Sequence, residues 1–382
     1  MIQKISFKVF SWIKFIIPET IKCFKMTGII FLILLLILNN ISVLFIFKAE
    51  AVSIVKDGNT DTVLNIDGDI IKITTESRVD GGRTGLNSFI KFNVNSGKTV
   101  NLHLPDKASN LLNLVHDERS DINGTLNSIK NGAVGGNVFF LNPYGLLVGS
   151  QGKVNVGSFT AVTPTPGFME DMFAGDSFNS DQLDKIYSGK VPINYSGIIT
   201  INGEINAIQD IDLQSGNITN TGSIKSGAVY DYESSNYSFR DVVNTNGIEP
   251  GNEIITDQNG DIYITARNNI DNSGTIASPG GQNLAGGQIM VDAGYNINLA
   301  SDSIISTAGE GEQSSGGLVT VYAGNNLNFK SGAEIDAGSG ESGYGGFIAA
   351  GAGENVTDEG STSVAGDKEG KVFIDSSQVD FI

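Results

Sequence analysis

From Val52 onward, apolar and polar residues alternate in short runs. Leu64-Asn65-Ile66-Asp67-Gly68-Asp69-Ile70, Val154-Asn155-Val156 and Ile199-Thr200-Ile201-Asn202-Gly203-Glu204-Ile205 place apolar side chains at every second position, with Gly or Asn breaking the runs. That period predicts β-strands of about four to six residues joined by tight turns. Outside residues 1–51 no stretch holds a helical period for three turns. Two segments interrupt the alternation. Thr163-Pro164-Thr165-Pro166-Gly167 opens the first and Pro192 closes it. Between them Phe168, Met169, Met172 and Phe173, then Leu183, Ile186 and Tyr187, lie at helix-like spacing. Two short helices packed on the outside of a β scaffold are expected there, the second capped by Asn179 or Ser180. The other interruption, roughly 229–256, is rich in Tyr, Ser and Asn and reads as a loop or small hairpin.

The carboxy-terminal third repeats. Gly260-Asp261-Ile262-Tyr263-Ile264, Gly287-Gln288-Ile289-Met290-Val291, Gly317-Leu318-Val319-Thr320-Val321 and Gly346-Phe347-Ile348-Ala349-Ala350 align at steps of 27, 30 and 29 residues. Nine positions after each glycine stands an asparagine, at Asn269, Asn296, Asn326 and Asn355, followed by Ile270, Ile297, Leu327 and Val356. Gly370 begins a fifth copy, with Val379 where the asparagine is expected. A coil of three short strands and three turns needs roughly 20–30 residues. The expected fold class is therefore all-β: a right-handed single-stranded parallel β-helix, a pectin-lyase-like solenoid, with short helical and hairpin insertions. Residues 52–382 would supply on the order of 12 rungs, less the insertions. The glycines are expected to take positive φ at the corners. The asparagines are expected to take a left-handed conformation or to bond to one another up the axis. A β-sandwich explains the alternation but not the phase-locked glycine and asparagine.

Composition adds the compartment. Residues 26–47, MTGIIFLILLLILNNISVLFIF, carry no charge and follow a Lys-rich stretch. Ala49-Glu50-Ala51 then offers small residues where signal peptidase reads, so residues 1–51 are expected to be a secretory signal with a long n-region. The competing reading is a membrane anchor, since about 20 apolar residues span a bilayer. Amino-terminal sequencing of the exported protein should begin at Val52; an intact leader in the inner membrane would instead identify an anchor. The only cysteine, Cys23, lies in this leader, so the exported part has no disulfide or thiol metal site. Residues 1–50 hold six Lys and two acids, leaving 18 basic and 40 acidic residues and a net charge of −22. Such a chain repels nucleic acid and anionic membrane surfaces, so membrane contact is expected only through the signal segment during export. Three regions follow: the leader 1–51, a secretion-type β-helix 52–256 with insertions at about 164–192 and 229–256, and repeat rungs 257–382 that stop within a rung.

Candidate chemistry is sparse. His103 sits in an alternating run, and His116 adjoins Asp117 and Glu118, which is a weak metal-ligand grouping. No nucleophile, phosphate-loop or zinc pattern is present. A lyase or hydrolase on a β-helix needs acids and Arg or Lys converging on one face. Asp292, Asp302 and Asp336 instead fall in different rung phases, and Arg occurs only at 78, 83, 119, 240 and 267. No catalytic residue, metal or cofactor is expected. A stand-alone β-helical carbohydrate-binding protein, or a polysaccharide lyase or hydrolase, remains the alternative.

The segment from Ser88 to Pro166 is the most specific. Gly136-Asn137-Val138-Phe139-Phe140-Leu141 leads into Asn142-Pro143-Tyr144-Gly145-Leu146, followed by Gly149 and Val154-Asn155-Val156-Gly157. This resembles the haemagglutination-activity, or two-partner-secretion, domain of filamentous haemagglutinins, contact-dependent inhibition toxins and large adhesins. Its Asn-Pro-Asn-Gly-Ile hallmark is matched at 142–146, with Tyr144 replacing the second asparagine; an Asn-Pro-Asn-Leu hallmark is not evident. Read from the residues alone, 142–145 is a turn: Asn142 caps, Pro143 fixes φ and Gly145 admits positive φ. The resemblance implies a secreted or surface-retained adhesin-type exoprotein. Its partner would be an outer-membrane β-barrel transporter with periplasmic recognition modules, and a host or bacterial surface receptor would bind it outside. The resemblance also implies that the chain crosses the outer membrane unfolded and folds outside rung by rung.

Overall fold

The computed structural model describes residues 53–174, 177–227, 260–281 and 284–381. Ala49 and Ala51, with the rest of the expected leader, and the interruption at 229–256 lie outside the described residues. Of two units, Met1–Val52 and Ser53–Ile382, the second is a parallel β-helix. One rung illustrates the repeat. Its first strand is Asn137–Leu141, its second Leu146–Val148 and its third Lys153–Val156. Each pairs in parallel with its counterparts in the rungs before and after: Asn110–Val115 and Ser158–Val162, Ser120–Ile122 and Ile198–Ile201, Thr125–Lys130 and Glu204–Ala207. First and second strands form a 19-stranded sheet and third strands a 12-stranded one. Setting aside an outer hairpin strand and the short strand Ala133–Val134, ten third strands stack in parallel. Ile211–Ser215 pairs directly with Ile262–Ala266, so the residues on either side of 229–256 belong to one stack.

Period-2 alternation turns alternate side chains inward, and stacking in register makes columns of like residues. Ile262, Ile289, Val319, Ile348 and Val372 align in one such column. The first four are buried, and the interior of the coil holds a continuous apolar cluster from Ile54 to Val356. Near the amino-terminal end it holds Phe89, Phe92 and Phe140, in edge-to-face contact at 5.1 and 5.4 Å. Each fully buried side chain of this kind stabilises the fold by about 1.5–3 kcal/mol relative to exposure.

Three details differ from the sequence reading. The repeat glycines do not take positive φ. They are needed for space: a Cβ on Gly317 would lie 2.1 Å from the Gly287 carbonyl oxygen, and one on Gly346 would lie 2.1 Å from that of Gly317. The ladder asparagines are not left-handed either. They do bond up the axis, through Asn296 Nδ2 to Asn269 Oδ1 (3.1 Å), Asn326 Nδ2 to Asn296 Oδ1 (3.0 Å) and Asn355 Nδ2 to Asn326 Oδ1 (2.9 Å). In the fifth copy a register shift between Ala352 and Asn355 brings Gln378, not Val379, opposite Asn355.

The amino-terminal end is not an ordinary rung. Ile54–Lys56 runs antiparallel to Thr84–Phe92, and Thr62–Asp67 forms an antiparallel hairpin with Ile70–Thr75. The first interruption holds two helices as expected, α1 (Pro166–Glu170) and α2 (Ser180–Tyr187). Thr165 caps α1, and Asn179 rather than Ser180 caps α2, accepting from Asp181 N at 3.1 Å. Phe168, Met169, Met172, Leu183 and Ile186 pack on Leu86, Leu112, Leu114, Leu141 and Val162, the outward residues of successive first strands. Tyr187 Oη, bonded to Thr84 Oγ1 and to Asn110 Nδ2 (3.1 Å), fastens this strap to earlier rungs.

Two partly buried groups give opposite pH dependences. Burial, aided by Lys72, pushes His103 down to about 4, so the unfolded chain takes up its proton first and stability is lost as pH falls from about 6.5 to about 4. Burial pushes Asp212 up to about 6 despite its bond from Gln214, so its contribution is full below about 3.8 and is lost as pH rises through about 6. Asp212→Asn should therefore raise the thermal midpoint at pH 7, by about 1–2 kcal/mol of stability. It should also leave a steeper acid loss than wild type between pH 6 and 4. Midpoints measured from pH 4 to 7 check both; an unchanged midpoint at pH 7 would show that Asp212 is well solvated.

Candidate functional site

The turn at 142–145 joins the first and second strands of its rung. Gly145 N donates to Asn142 O at 3.1 Å, and Tyr144 N donates to Asn142 Oδ1 at 2.9 Å. This combination, with Pro at the second position and Gly at the fourth, is the signature of a type I turn closed by an asparagine side chain. Asn142 is buried, and its Nδ2 donates downward to Glu118 O (2.8 Å) and Ser120 Oγ (3.0 Å) of the preceding rung. The side chain thus serves its own turn and fixes the spacing to the rung below. Gly145 has φ +108, and a Cβ there would lie 2.2 Å from Ile198 O. Leu146 enters the core, Leu141 packs under the helical strap, and Tyr144 is left 51% exposed.

One rung later the chain repeats this corner, which the sequence reading did not single out. In Asn194-Tyr195-Ser196-Gly197, Ser196 N donates to Asn194 Oδ1 (3.0 Å) and Gly197 N to Asn194 O (3.0 Å). Asn194 Nδ2 reaches down to Pro143 O at 2.9 Å. The detectable signal was Asn-x-x-Gly followed by an aliphatic residue, shared by 142–146 and 194–198. Above it the corner continues as the asparagine ladder. Parallel register places Gly145, Ile198, Asn217, Asn269, Asn296, Asn326 and Asn355 in one column, each just before a paired strand residue. Asn142, three residues before Gly145, therefore opens the corner along whose closing position the ladder asparagines stack.

Tyr144, Ser196 and Ile198 from the two turns, with Lys91, Asn93, Glu118, Arg119 and Asp121 from lower rungs, line an open groove of about 560 Å³. Its charges are paired: Lys91 Nζ with Glu118 Oε1 at 2.5 Å, and Arg119 with Asp121 at 2.7 and 3.3 Å. Exposed pairs add little stability, but they fix where donors and acceptors stand.

His116 joins a polar cluster with Ser88 and Asp57. His116 Nε2 lies 3.0 Å from Ser88 Oγ and 3.6 Å from Asp57 Oδ2, and Ser88 Oγ also bonds Asp57. A nucleophilic triad needs the serine and the acid on opposite ring nitrogens. Here both meet Nε2, and Ser88 is buried, so the three side chains tie the amino-terminal strand to the rungs. Burial lowers the His116 pKa, opposed by Asp57 and Asp117. Asp292 lies on a first strand and Asp336 on a third, in separate sheets.

The model of the TPS secretion domain matches residues 52–321. Among solved structures, the chain is similar to the HMW1 secretion domain from Haemophilus influenzae, at 15% sequence identity and a TM-score of 0.42, covering 86% of this chain and 95% of that one. No curated protein matches. The matched span takes in both turns, the groove and the ladder asparagines Asn269 and Asn296, and the chain belongs to the TPS secretion domain family, whose members are exported across the outer membrane by two-partner secretion and engage an outer-membrane transporter.

Proposed function

We propose that this chain is a non-catalytic, adhesin-type exoprotein, and that the corner at Asn142–Leu146 with its groove is the surface read by the transporter's periplasmic recognition modules. The observation that carries this reading is the division of labour within the turn. Asn142 and Gly145 are engaged in rung spacing, while Tyr144 stands exposed at the rim of a charge-lined groove. Leu146 anchors the turn in the core, and Pro143 both sets its φ and accepts from Asn194. In this reading the secretion part comprises 52–256, and the rungs of 257–382 continue it as a stalk on which a host or bacterial receptor is met. The leader 1–51 carries the chain through the inner membrane and is removed after Ala51. Folding outside, rung on rung, opposes back-sliding through the transporter.

Tyr144→Ala tests this reading with little disturbance of the fold, because the side chain is exposed. Surface substitutions of this kind stay within about 0.5 kcal/mol. Extracellular yield in cells carrying the cognate transporter should fall, while the melting temperature of purified protein stays put. Unchanged export of Tyr144→Ala would remove the groove from the recognition surface.

A further inference from the structure

Among the described residues, the outer strand of the amino-terminal hairpin, Thr62–Asp67, is paired on one side only. Its partner is Ile70–Thr75, and it ends the 12-stranded sheet. The closing pair Asp67↔Ile70 brackets a two-residue turn, Gly68-Asp69, with Gly68 at φ +59. In such a hairpin the closing pair exchanges both backbone hydrogen bonds, and bonded and non-bonded pairs alternate from there. Asp67, Asn65 and Val63 therefore direct their backbone groups to the hairpin, while Ile66, Leu64 and Thr62 direct theirs to the open edge. The bond from Lys56 Nζ to Thr62 O, 2.8 Å, agrees with that phase.

Native sheet edges are usually blunted by Lys, Pro, a bulge or a covering segment. The strand TVLNID has no Lys or Pro, and its pairing runs without a register shift. Val63 and Ile66 are 54% and 66% exposed. Charge selects the occupant. Asp61, Asp67 and Asp69 surround the edge and are exposed. Of the nearby cations, Lys56 is engaged with Thr62 O and Lys98 with Asp69 at 2.9 Å, which leaves Lys72, opposite Asn65 in the hairpin, as one exposed cation against three exposed acids. A second copy would bring the same acids against themselves, on a chain whose part beyond residue 50 already carries −22.

We propose that the open edge of Thr62–Asp67 is a strand-addition site for an extended, Lys- or Arg-bearing segment of a partner protein. The added strand continues the ladder through the N–H and C=O groups of Leu64 and Ile66, and its basic side chains meet Asp61 and Asp67. This site is independent of the groove and of the transporter reading.

The test uses exported protein from the medium and, as probe, a capped peptide of roughly eight alternating valines and lysines, matched to the length of a strand. Titration should show binding that weakens with salt, and the peptide with glutamate for lysine should not bind. Ile66→Pro deletes an outward N–H and should weaken binding roughly tenfold or more. Ile66→Lys keeps the N–H and should weaken binding by a smaller factor through repulsion. If the proline variant proves misfolded by circular dichroism, the lysine variant decides. A wild-type protein that does not bind the peptide, or variants that bind it as well as wild type does, would overturn the proposal. So would a dimer in sedimentation that Ile66→Lys dissolves, since the edge would then serve a second copy.

Discussion

Val319→Asp is expected to melt the carboxy-terminal rungs. Val319 is fully buried and is paired in register with Ile289 on one side and Ile348 on the other. A carboxylate there has no polar partner in the column, and the cost is several kcal/mol whether the group stays charged or takes up a proton. In a solenoid each rung contacts only its neighbours, so the damage should spread along the rungs around 287–350 and leave the amino-terminal rungs folded. Limited proteolysis should then cut within this region and release a resistant amino-terminal core, with partial loss of β signal in circular dichroism. Tyr322→Asn, three residues on and outward-facing, is the control, with an expected effect within about 1 kcal/mol. A Val319→Asp protein as resistant as the control would contradict the register on which the fold rests.

The sequence carried that register because one rung's residues must lie over the next. The step from Gly287 to Gly317 to Gly346, with its asparagine nine residues on, is the sequence image of a column, and the observed pairing Ile289↔Val319↔Ile348 follows it. The reason for the glycine was not legible. A corner glycine needed for positive φ and one needed because a carbonyl oxygen lies about 2 Å from its absent Cβ look the same in one dimension. Alternation was equally blind to direction. Gly68 reverses the chain into an antiparallel hairpin, whereas Gly203 turns a parallel corner, yet both interrupt similar runs. Helices α1 and α2 were legible because Pro, a capping side chain and apolar spacing agree locally. That Tyr187 would reach Thr84 and Asn110 was not, because those contacts span 103 and 77 residues.

The candidate site was half legible. The residues of the turn were readable as a turn, but only the stacking reveals that Asn142 bonds Glu118 O and Ser120 Oγ one rung below. The twin corner at Asn194 was hidden behind the strap that separates it from its own rung's first strand. The groove combines residues from Lys91 to Ile198 and has no linear signature.

Asn142→Ala removes three hydrogen bonds from a buried position, where one local bond was expected from the sequence. The fold cost should be about 1–3 kcal/mol, shared with the rung below. Asn326→Ala, at the same corner in the ladder, removes the bonds to Asn296 and from Asn355 and should cost a similar amount. Both proteins should fold, with thermal midpoints lowered by no more than several degrees. The decisive measurement is extracellular yield set against thermal midpoint for these two variants, expressed with the transporter. The account predicts a loss of export at Asn142 of roughly tenfold beyond any loss at Asn326, for matched midpoints. Equal export of the two variants would contradict it, and would reduce Asn142 to one more asparagine of the corner.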